Sequence, residues 1–527
     1  MVASLLRVLS SGIQDERLAF QPTLYPFHRV WNKSGRFTTQ WVRLEFDNVP
    51  AFGQTGYVRL VRKGHLVTRL YLVAEMPDIW SAQRRARVAN GGVDAWPRFG
   101  WTNSLGHALV ANLTLDIGGS RVEALDGQLM EVLDEFYTPM EKVGVVNQGL
   151  RRKDAGFTDQ TWGWPPSGTI IGANQGYKER VVVPLPFWFS RGDRGCALPI
   201  DAIGADEVRC SVSFRSLQGL YFTGTQQQGL AGEAEGSALW PLPGSRFYAA
   251  DPVLHPGVLG SPLADGGGVI QMPEGAGLAL GECYVMAEYV YLDQNEANRF
   301  RLADLQVPVV QHYTMEPFDT RGLKDARIPL RIPNPARGVM FFCQPWLAGA
   351  YNAHFLATRE MTGTVNTVPD GSTYPWWPDA VGGSSIEAGP SAAGWAVAMR
   401  GGFALSDSEP VAGYALEFQG GLVRYRTEAP SLFRSVIPSY EMRKAPWVNR
   451  YYYYLPFGVQ NGWTAWSQPR GEANLDKMTR KELVLQFRPR YGNTSGLEVG
   501  RFQVRVYAET YNVLRVFGRR AGLLFAY

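Results

Sequence analysis

Hydrophobic and polar residues alternate along many short segments of this chain. In WVRLEF, Val42, Leu44 and Phe46 share one side, and polar residues occupy the other. LTLDI (Leu113 to Ile117) and VRCSVSF (Val208 to Phe214) repeat the pattern. Because successive side chains of a strand point to opposite faces, such segments predict strands with one buried and one solvated face, as in antiparallel sheets.

Four strand-like segments occur in one order and then recur in the same order. The first set is LTLDIGG, VVVPLPFWF, EVRCSVSF and YVMAEYVYL, and the second is ALEFQGG, YYYYLPFGV, ELVLQF and VRVYAETYNVL. Single cores stop growing near roughly 250 to 300 residues, and this chain has 527. The repetition therefore predicts a tandem of two all-β domains.

Few segments show helical spacing. In the segment from Asp126 to Phe136, the residues Leu129, Val132 and Leu133 fall on one face together with Phe136, which predicts a short helix. A second short helix is predicted over residues 294–303, as a linker between the halves. The pairs Gly118-Gly119 and Gly420-Gly421 predict tight hairpins, where positive φ is needed.

Three long segments rich in Gly, Pro, Ser and Trp interrupt the strands, at about residues 138–176, 216–281 and 358–411. Loops of this length usually carry function or local contacts. In the third, YPWWPD places Trp376 and Trp377 between prolines, as a candidate contact site for sugar or host. The alternative, which we favour, is that both rings fix the loop to its own domain or to a neighbouring subunit.

Charge and cysteine usage narrow the function. The net charge is +4, and the basic residues are scattered, so we expect no direct specific nucleic-acid binding. The four cysteines show no C-x-x-C spacing and predict free buried thiols in a reducing compartment. No secretory signal is predicted at the start, and no run approaches the ~18 apolar residues that span a bilayer.

The sequence offers little catalytic chemistry. Glu131 and Glu135 are four residues apart and would share a helix face, but a solvated face explains them better than a glycosidase pair. The six histidines show no local metal-ligand spacing, and no nucleophile elbow or phosphate-binding loop occurs. We therefore predict no catalytic residue, no cofactor and no metal site.

Several ordered motifs resemble one known family, the double jelly-roll major capsid proteins of nucleocytoplasmic large DNA viruses. These motifs are SGIQDERLAFQPTLYPFHRVWNKSGRFTTQ near the start, RLVRKGHLVTRLYLVAEMP, LTLDIGGSRVEALDGQLMEVLDE, YVYLDQNEANRF between the halves and VRVYAETYNVLRVFGRRAGLLFAY at the end. Because they follow the family's order through nearly the whole chain, the chain is identified as resembling this family.

The resemblance implies two tandem antiparallel eight-stranded jelly rolls with long loop insertions and few short helices. It divides the chain into an N-terminal arm (1–21), a first jelly roll (22–293), a linker helix (294–303) and a second jelly roll (304–527). It also implies a structural role without catalysis, in which homotrimers form pseudo-hexameric capsomers that tile an icosahedral shell.

The same resemblance implies partners and a location. The chain would associate with itself, with neighbouring trimers, with minor capsid and penton proteins, and with an internal membrane beneath the shell. It would lie in the capsid shell of the virion after assembly in the host cytoplasm. Two alternatives stay open: a transient double jelly-roll scaffold of virion assembly, and a carbohydrate-binding jelly-roll protein.

Overall fold

The structure is a computed structural model. It describes residues 33–77, 98–101, 104–139, 179–224, 247–249, 279–345, 361–362, 404–405, 410–418, 422–442, 444–446, 451–458, 470–478, 480–487 and 502–525, with a few single positions before residue 33. The predicted arm (1–21), Gly420-Gly421 and both Trp376 and Trp377 lie wholly or almost wholly outside the described residues.

The first half is built mainly of strands. In chain order they are β1 (Phe37–Leu44), β2 (Thr55–Arg59), β3 (Leu66–Met76), β4 (Arg98–Trp101), β5 (Val110–Ile117), β6 (Ser120–Asp126), β7 (Glu179–Pro184), β8 (Val208–Phe214), β9 (Tyr221–Gly224), β10 (Phe247–Ala249) and β11 (Cys283–Leu292). Two helices accompany them, α1 (Leu105–Leu109) and α2 (Gly127–Tyr137). Helix α3 (Gln294–Leu302) follows β11 and leads into the second half.

The second half repeats this composition. Its strands are β12 (Leu305–Thr314), β13 (Phe318–Asp319), β14 (Asp325–Pro329), β15 (Ala336–Pro345), β16 (Met361–Thr362), β17 (Ala404–Leu405), β18 (Val411–Phe418), β19 (Leu422–Thr427), β20 (Tyr452–Pro456), β21 (Lys481–Phe487), β22 (Phe502–Phe517) and β23 (Arg520–Leu523). A π-helical turn (Leu432–Val436) runs into helix α4 (Ile437–Glu441).

Each half contains two antiparallel sheets of the same design. In the first half the strand orders are β1-β11-β3-β7 and β2-β8-β5-β6, and in the second they are β12-β22-β15-β20 and β14-β21-β18-β19. The two short strands β13 and β23 extend the third of these sheets along β22. Counting the four main strands of each sheet gives two eight-stranded jelly rolls, so the predicted fold class is confirmed.

The alternating segments occupy the predicted faces. Leu113, Leu115 and Ile117 of β5 are buried. At the end of β5, Gly118 and Gly119 have φ of 58° and 84°, which glycine adopts without steric cost, and the hairpin to β6 closes there. Both predicted helices are present, as α2 and α3. The four cysteines are buried, and each is a thiol that belongs to no disulfide.

The long insertions contain some regular structure. Strands β9 and β10 lie inside the 216–281 segment and form a small sheet with β4. Strands β16 and β17 pair inside the 358–411 segment. Among the described residues, none of the helices has the length and apolar character needed to cross a bilayer.

One hydrophobic core joins the two halves. It contains the interior of the first jelly roll and also nine buried residues of the second half: Val309, Met340, Phe342, Met442, Tyr452, Tyr454, Tyr507, Leu514 and Val516. We call this the shared core. A second core lies wholly inside the second half. Because apolar burial is the main stabilising term in folding, the shared core fixes the two jelly rolls against each other.

Candidate assembly interfaces

Helix α2 lies at the contact between the two halves. It begins at Asp126, whose side chain accepts a hydrogen bond from the backbone N–H of Leu129 at 2.6 Å and caps the helix. Gly127 follows, and a Cβ at this position would come within 2.2 Å of the carbonyl oxygen of His107. Only glycine therefore allows the helix to start so close to α1.

The prediction that Glu131 and Glu135 lie on a solvated face of α2 is wrong. Glu131 and Glu135 are both buried. Glu131 accepts a hydrogen bond from the Ser104 hydroxyl at 2.9 Å and lies 2.5 Å from His107 Nδ1. Glu135 lies 3.2 Å from the Lys444 ammonium group, which comes from the second half. Buried charges need partners, and each carboxylate has its own, so the two do not form a catalytic pair.

The C-terminal end of α2 contacts a buried carboxylate of the second half, Glu509 of β22. The Tyr137 hydroxyl donates to Glu509 Oε1 at 2.5 Å, and the Tyr454 hydroxyl donates to Oε2 at 3.0 Å. His312 Nε2 lies 3.3 Å from Oε1. Glu509 thus connects side chains from α2, β12 and β20, and it ties the end of α2 to the second half.

A second buried carboxylate, Glu123 of β6, extends this arrangement. Arg191 donates to Glu123 Oε1 at 2.7 Å, to the carbonyl oxygen of Val310 at 3.2 Å and to His312 Nδ1 at 2.8 Å. Because a guanidinium group only donates, Nδ1 accepts and the proton of His312 lies on Nε2, toward Glu509. We call Glu123, Tyr137, Arg191, His312, Tyr454 and Glu509 the interdomain cluster.

The charge state of the cluster follows from its contacts. Burial alone would raise the pKa of Glu509, but the hydrogen bond from His312 and the positive charge of Arg337 outweigh it and lower that pKa to about 2. Burial, and then the charge of Glu509, raises the pKa of the Tyr137 and Tyr454 hydroxyls well above 10. Glu509 is therefore an ionised acceptor held by protonated tyrosines at neutral pH.

Apolar and further polar contacts surround the cluster. The rings of Phe136 and Tyr454 lie 5.8 Å apart. Tyr507 donates to Asp126 at 3.2 Å, and the amide of Gln128 donates to Gln344 at 3.3 Å. All of these contacts join α2 or its capping residue to the β12-β22-β15-β20 sheet, which we call the covered sheet.

In the corresponding sheet of the first half, β1-β11-β3-β7, several side chains of the outer face are exposed in the single chain. We call it the open sheet. Trp41 and Val182 are 41% and 39% exposed on this face. Trp41 contacts Tyr71, with ring centroids 5.7 Å apart, and the Arg43 guanidinium lies 4.0 Å from the Tyr284 ring. A partly apolar face of this kind is typical of an interaction surface.

Strand register identifies the equivalent positions of the two sheets. Strand β11 of the open sheet and β22 of the covered sheet each contain an Ala-Glu pair. By strand register, Glu288 of β11 lies opposite Trp41, and Glu509 of β22 lies opposite His312. Glu288 is buried in the open sheet, and its carboxylate accepts a hydrogen bond from Thr68 at 2.7 Å. Glu288 is therefore the counterpart of Glu509.

The segment of the second half that follows β19 corresponds to α2, which follows β6. It consists of the π-helical turn and α4. Its apolar residues Leu432, Val436 and Tyr440 are 38%, 48% and 78% exposed. They recur at every fourth position, so they share one helical face, and we call them the exposed stripe.

The structure does not test the candidate contact site predicted from sequence. Trp376 and Trp377, the candidate contact site, are outside the described residues and stay a prediction. Within the described part of the chain, no group of three or more His, Cys, Asp or Glu side chains could hold a metal ion.

Sequence analysis missed the interdomain cluster. Glu123, Arg191, His312 and Glu509 lie far apart in the sequence, and none belongs to a local motif. One signal was present, because the duplicated strands share the Ala287-Glu288 and Ala508-Glu509 pairs. A carboxylate that follows an alanine at the same place in both copies of a largely apolar strand indicates a buried acceptor.

The comparison with protein families agrees with this architecture. The sequence profile described as "Major capsid protein N-terminus" matches residues 25–293, about half of the chain. The chain belongs to the major capsid protein family. The match covers the first jelly roll as far as the end of β11, including both sheets and α2.

Individual relatives extend the match. "Probable capsid protein 4" of Acanthamoeba polyphaga mimivirus is 25% identical over 224 residues, which cover 42% of this chain and 40% of that protein. The chain thus aligns with less than half the length of this relative. The major capsid protein of Phaeocystis pouchetii virus is 20% identical over 583 residues, and the alignment covers all of both chains.

A solved structure shows the same fold over nearly the whole chain. VP54 of PBCV-1 superposes with a TM-score of 0.62 and 17% identity, covering 95% of this chain and 100% of that one. At this identity the structural similarity shows a shared fold and no more. The superposition includes the second jelly roll, whereas the family profile ends at residue 293.

Proposed function

We propose that this chain is the structural major capsid protein of a large icosahedral DNA virus. Three copies form a pseudo-hexagonal capsomer, and these capsomers tile the outer shell in the virion. The observation that carries the proposal is the fixed contact between two similar jelly rolls. Their shared core and the interdomain cluster hold them side by side as one unit.

The mechanism is geometric. Two similar domains held at a constant angle give each copy two of the six lobes that a hexagonal outline requires. A large hydrophobic contact with buried, paired charges resists relative domain motion, whereas small polar contacts permit it. Three copies then present an edge of nearly regular shape to six neighbours, and one protein tiles a flat facet.

The proposal assigns no catalytic role. The two neighbouring glutamates of α2 are each held by a separate structural partner, so that helix has no carboxylate pair for glycoside hydrolysis. Further partners of the shell are minor capsid and penton proteins and an internal membrane. Assembly takes place in the host cytoplasm.

The first experiment measures the mass and outline of the recombinant chain by light scattering and negative-stain imaging. We expect particles of three times the 58.5 kDa chain mass with hexagonal outlines. Stable monomers under all conditions would contradict the proposal. If trimers form, mass spectrometry of purified virions decides between shell and scaffold, because a transient scaffold would be absent from mature particles.

The N-terminal arm (1–21) is proposed to contact minor capsid proteins or the membrane. Deleting Met1 to Gln14 should leave the trimer intact and impair shell assembly, measured by light scattering and by electron microscopy of assembly products. Failure of the truncated chain to form trimers would instead assign the arm to the trimer itself.

A further inference from the structure

The duplicated fold contains one interface that is buried within the chain and an equivalent face that is exposed in the single chain. The outer face of the covered sheet packs against α2 through Tyr454 and Glu509. Among the described residues, no helix packs on the outer face of the open sheet in this way, and Val182, the counterpart of Tyr452 by strand register, is 39% exposed. The same contrast holds for Trp41 and its counterpart His312.

The segment that would supply the cover is also duplicated. Strand β6 and α2 pack against the second half, whereas β19 and the exposed stripe keep apolar side chains exposed to solvent. Leu422 of β19 is 61% exposed, and Tyr440 is 78% exposed near the end of α4, as Tyr137 is the last residue of α2. One chain therefore carries an exposed sheet face in its first half and an exposed apolar stripe in its second half, at the positions that meet inside the chain.

We propose that the exposed stripe of one copy docks on the open sheet of a second copy of this chain. In this contact the Tyr440 hydroxyl donates to Glu288, as Tyr137 donates to Glu509 within the chain. The inference rests on the proposed function and specifies which faces meet between copies. The occupant is a second copy because both surfaces belong to this chain and the covered sheet already shows their mode of contact.

The contact is heterologous, because it joins the exposed stripe of one copy to the open sheet of the next. Heterologous contacts form a closed ring when the rotation per step closes, and open chains when it does not. Within the chain, the contact between α2 of the first jelly roll and the covered sheet of the second is one such step. When the same contact forms between copies, first and second jelly rolls alternate around a ring, which is the arrangement that a pseudo-hexagonal trimer needs.

The chemistry of Glu288 agrees with this role. Thr68 donates to its Oε2 at 2.7 Å, and Arg69 lies 3.6 Å from the same atom. Glu288 is therefore fixed in position within the open sheet before any partner arrives. Glu509 shows that a carboxylate at this strand position can receive a tyrosine hydroxyl from a helix end.

Two exposed valines allow a test that does not threaten folding. Val182→Lys places a charge on the open face, and Val436→Lys places the same charge on the exposed stripe. Each variant alone should remain monomeric in light scattering. An equimolar mixture should form a two-copy particle, because one intact face and one intact stripe remain and the ring cannot close.

The control is Leu323→Ser, which alters a side chain that is 60% exposed outside both surfaces and should trimerise as the unaltered chain does. Variants that still trimerise alone, or a mixture that stays monomeric, would overturn the inference. A monomeric unaltered chain would instead refute the proposed function, so the two failures are distinguishable.

A double-mutant cycle tests the hydrogen bond itself. Tyr440→Phe and Glu288→Gln should each weaken association about tenfold, as expected for a hydrogen bond to a charged group. The double variant should be little weaker than either single variant, because both changes remove one interaction. Analytical ultracentrifugation gives the dissociation constants, and a fully additive, roughly hundredfold loss in the double variant would rule out the contact.

Discussion

The covered sheet and the open sheet have the same strand order and opposite surroundings. Tyr452 and Tyr454 of the covered sheet belong to the shared core, whereas Trp41 and Val182 of the open sheet remain exposed. Both sheets keep a glutamate at the equivalent place in the last strand. One of the two equivalent surfaces therefore fixes the shape of the single chain, and the other is the surface that we propose for association.

The largest expected effect comes from a charge inside the shared core. Leu115 is fully buried in β5, so Leu115→Asp should abolish folding by burying an unpaired carboxylate. Circular dichroism and light scattering of the purified variant measure the loss. Ser120→Asp, at an exposed position of the same hairpin, is the control and should fold normally. Soluble trimers of the Leu115 variant would contradict the assigned strand face.

The next effect separates the two sheets directly. Tyr452→Ala should destabilise the chain by about 3 kcal/mol or more, because it opens a cavity in the shared core. Its counterpart Val182→Ala should change the free energy of unfolding of the monomer by no more than about 0.5 kcal/mol. Denaturant unfolding at low protein concentration measures both, and equal effects would remove the distinction between covered and open sheets.

The two equivalent glutamates sharpen the comparison further. Glu509→Gln should cost about 3 kcal/mol, since it leaves His312 and the nearby Arg337 without the buried charge that they stabilise. Glu288→Gln should cost about 1 kcal/mol in the monomer, where it weakens one hydrogen bond. Denaturant unfolding of dilute samples measures both changes. A larger loss at Glu288 than at Glu509 would show that the open sheet depends more strongly on its carboxylate.

The smallest effect is a pH dependence. The folded pKa of Glu509, about 2, lies below the ordinary value of 4.5, so its contribution is complete well above pH 4.5 and is lost as pH falls toward 2. This loss amounts to about 0.7 kcal/mol between pH 5 and pH 4. Unfolding measured from pH 7 to pH 3 should show the loss, and Glu509→Gln should reduce it. An unchanged slope in that variant would assign the acid sensitivity elsewhere.

Much of the fold could be predicted from sequence because local patterns specify it. Alternation in β5 and β8 identified their buried faces, and the periodic apolar residues of α2 identified that helix. The strand-like segment YYYYLPFGV contains β20, so that prediction is confirmed, and Tyr451 to Leu455 are all buried. Both faces of β20 are covered, because Tyr453 lies in the core of the second half and Tyr454 in the shared core.

The polar contacts between the halves could not be predicted in the same way. The spacing of Glu131 and Glu135 shows that they share a helix face, and such a face is usually solvated. The structure places His107 of α1 against Glu131 and Lys444 of the second half against Glu135. Helical periodicity identifies the apolar side of α2, but it carries no information about a partner that folds against the polar side.

The sequence by itself determined the all-β class, the duplication, the two short helices and the family, since strand alternation and ordered motifs are local properties of the chain. Only the tertiary structure decided which of two equivalent sheets is covered, and which carboxylates are buried with partners. These features depend on contacts between residues such as Tyr137 and Glu509, 372 positions apart. Their energies arise from burial and charge pairing that exist only after the two jelly rolls have packed together.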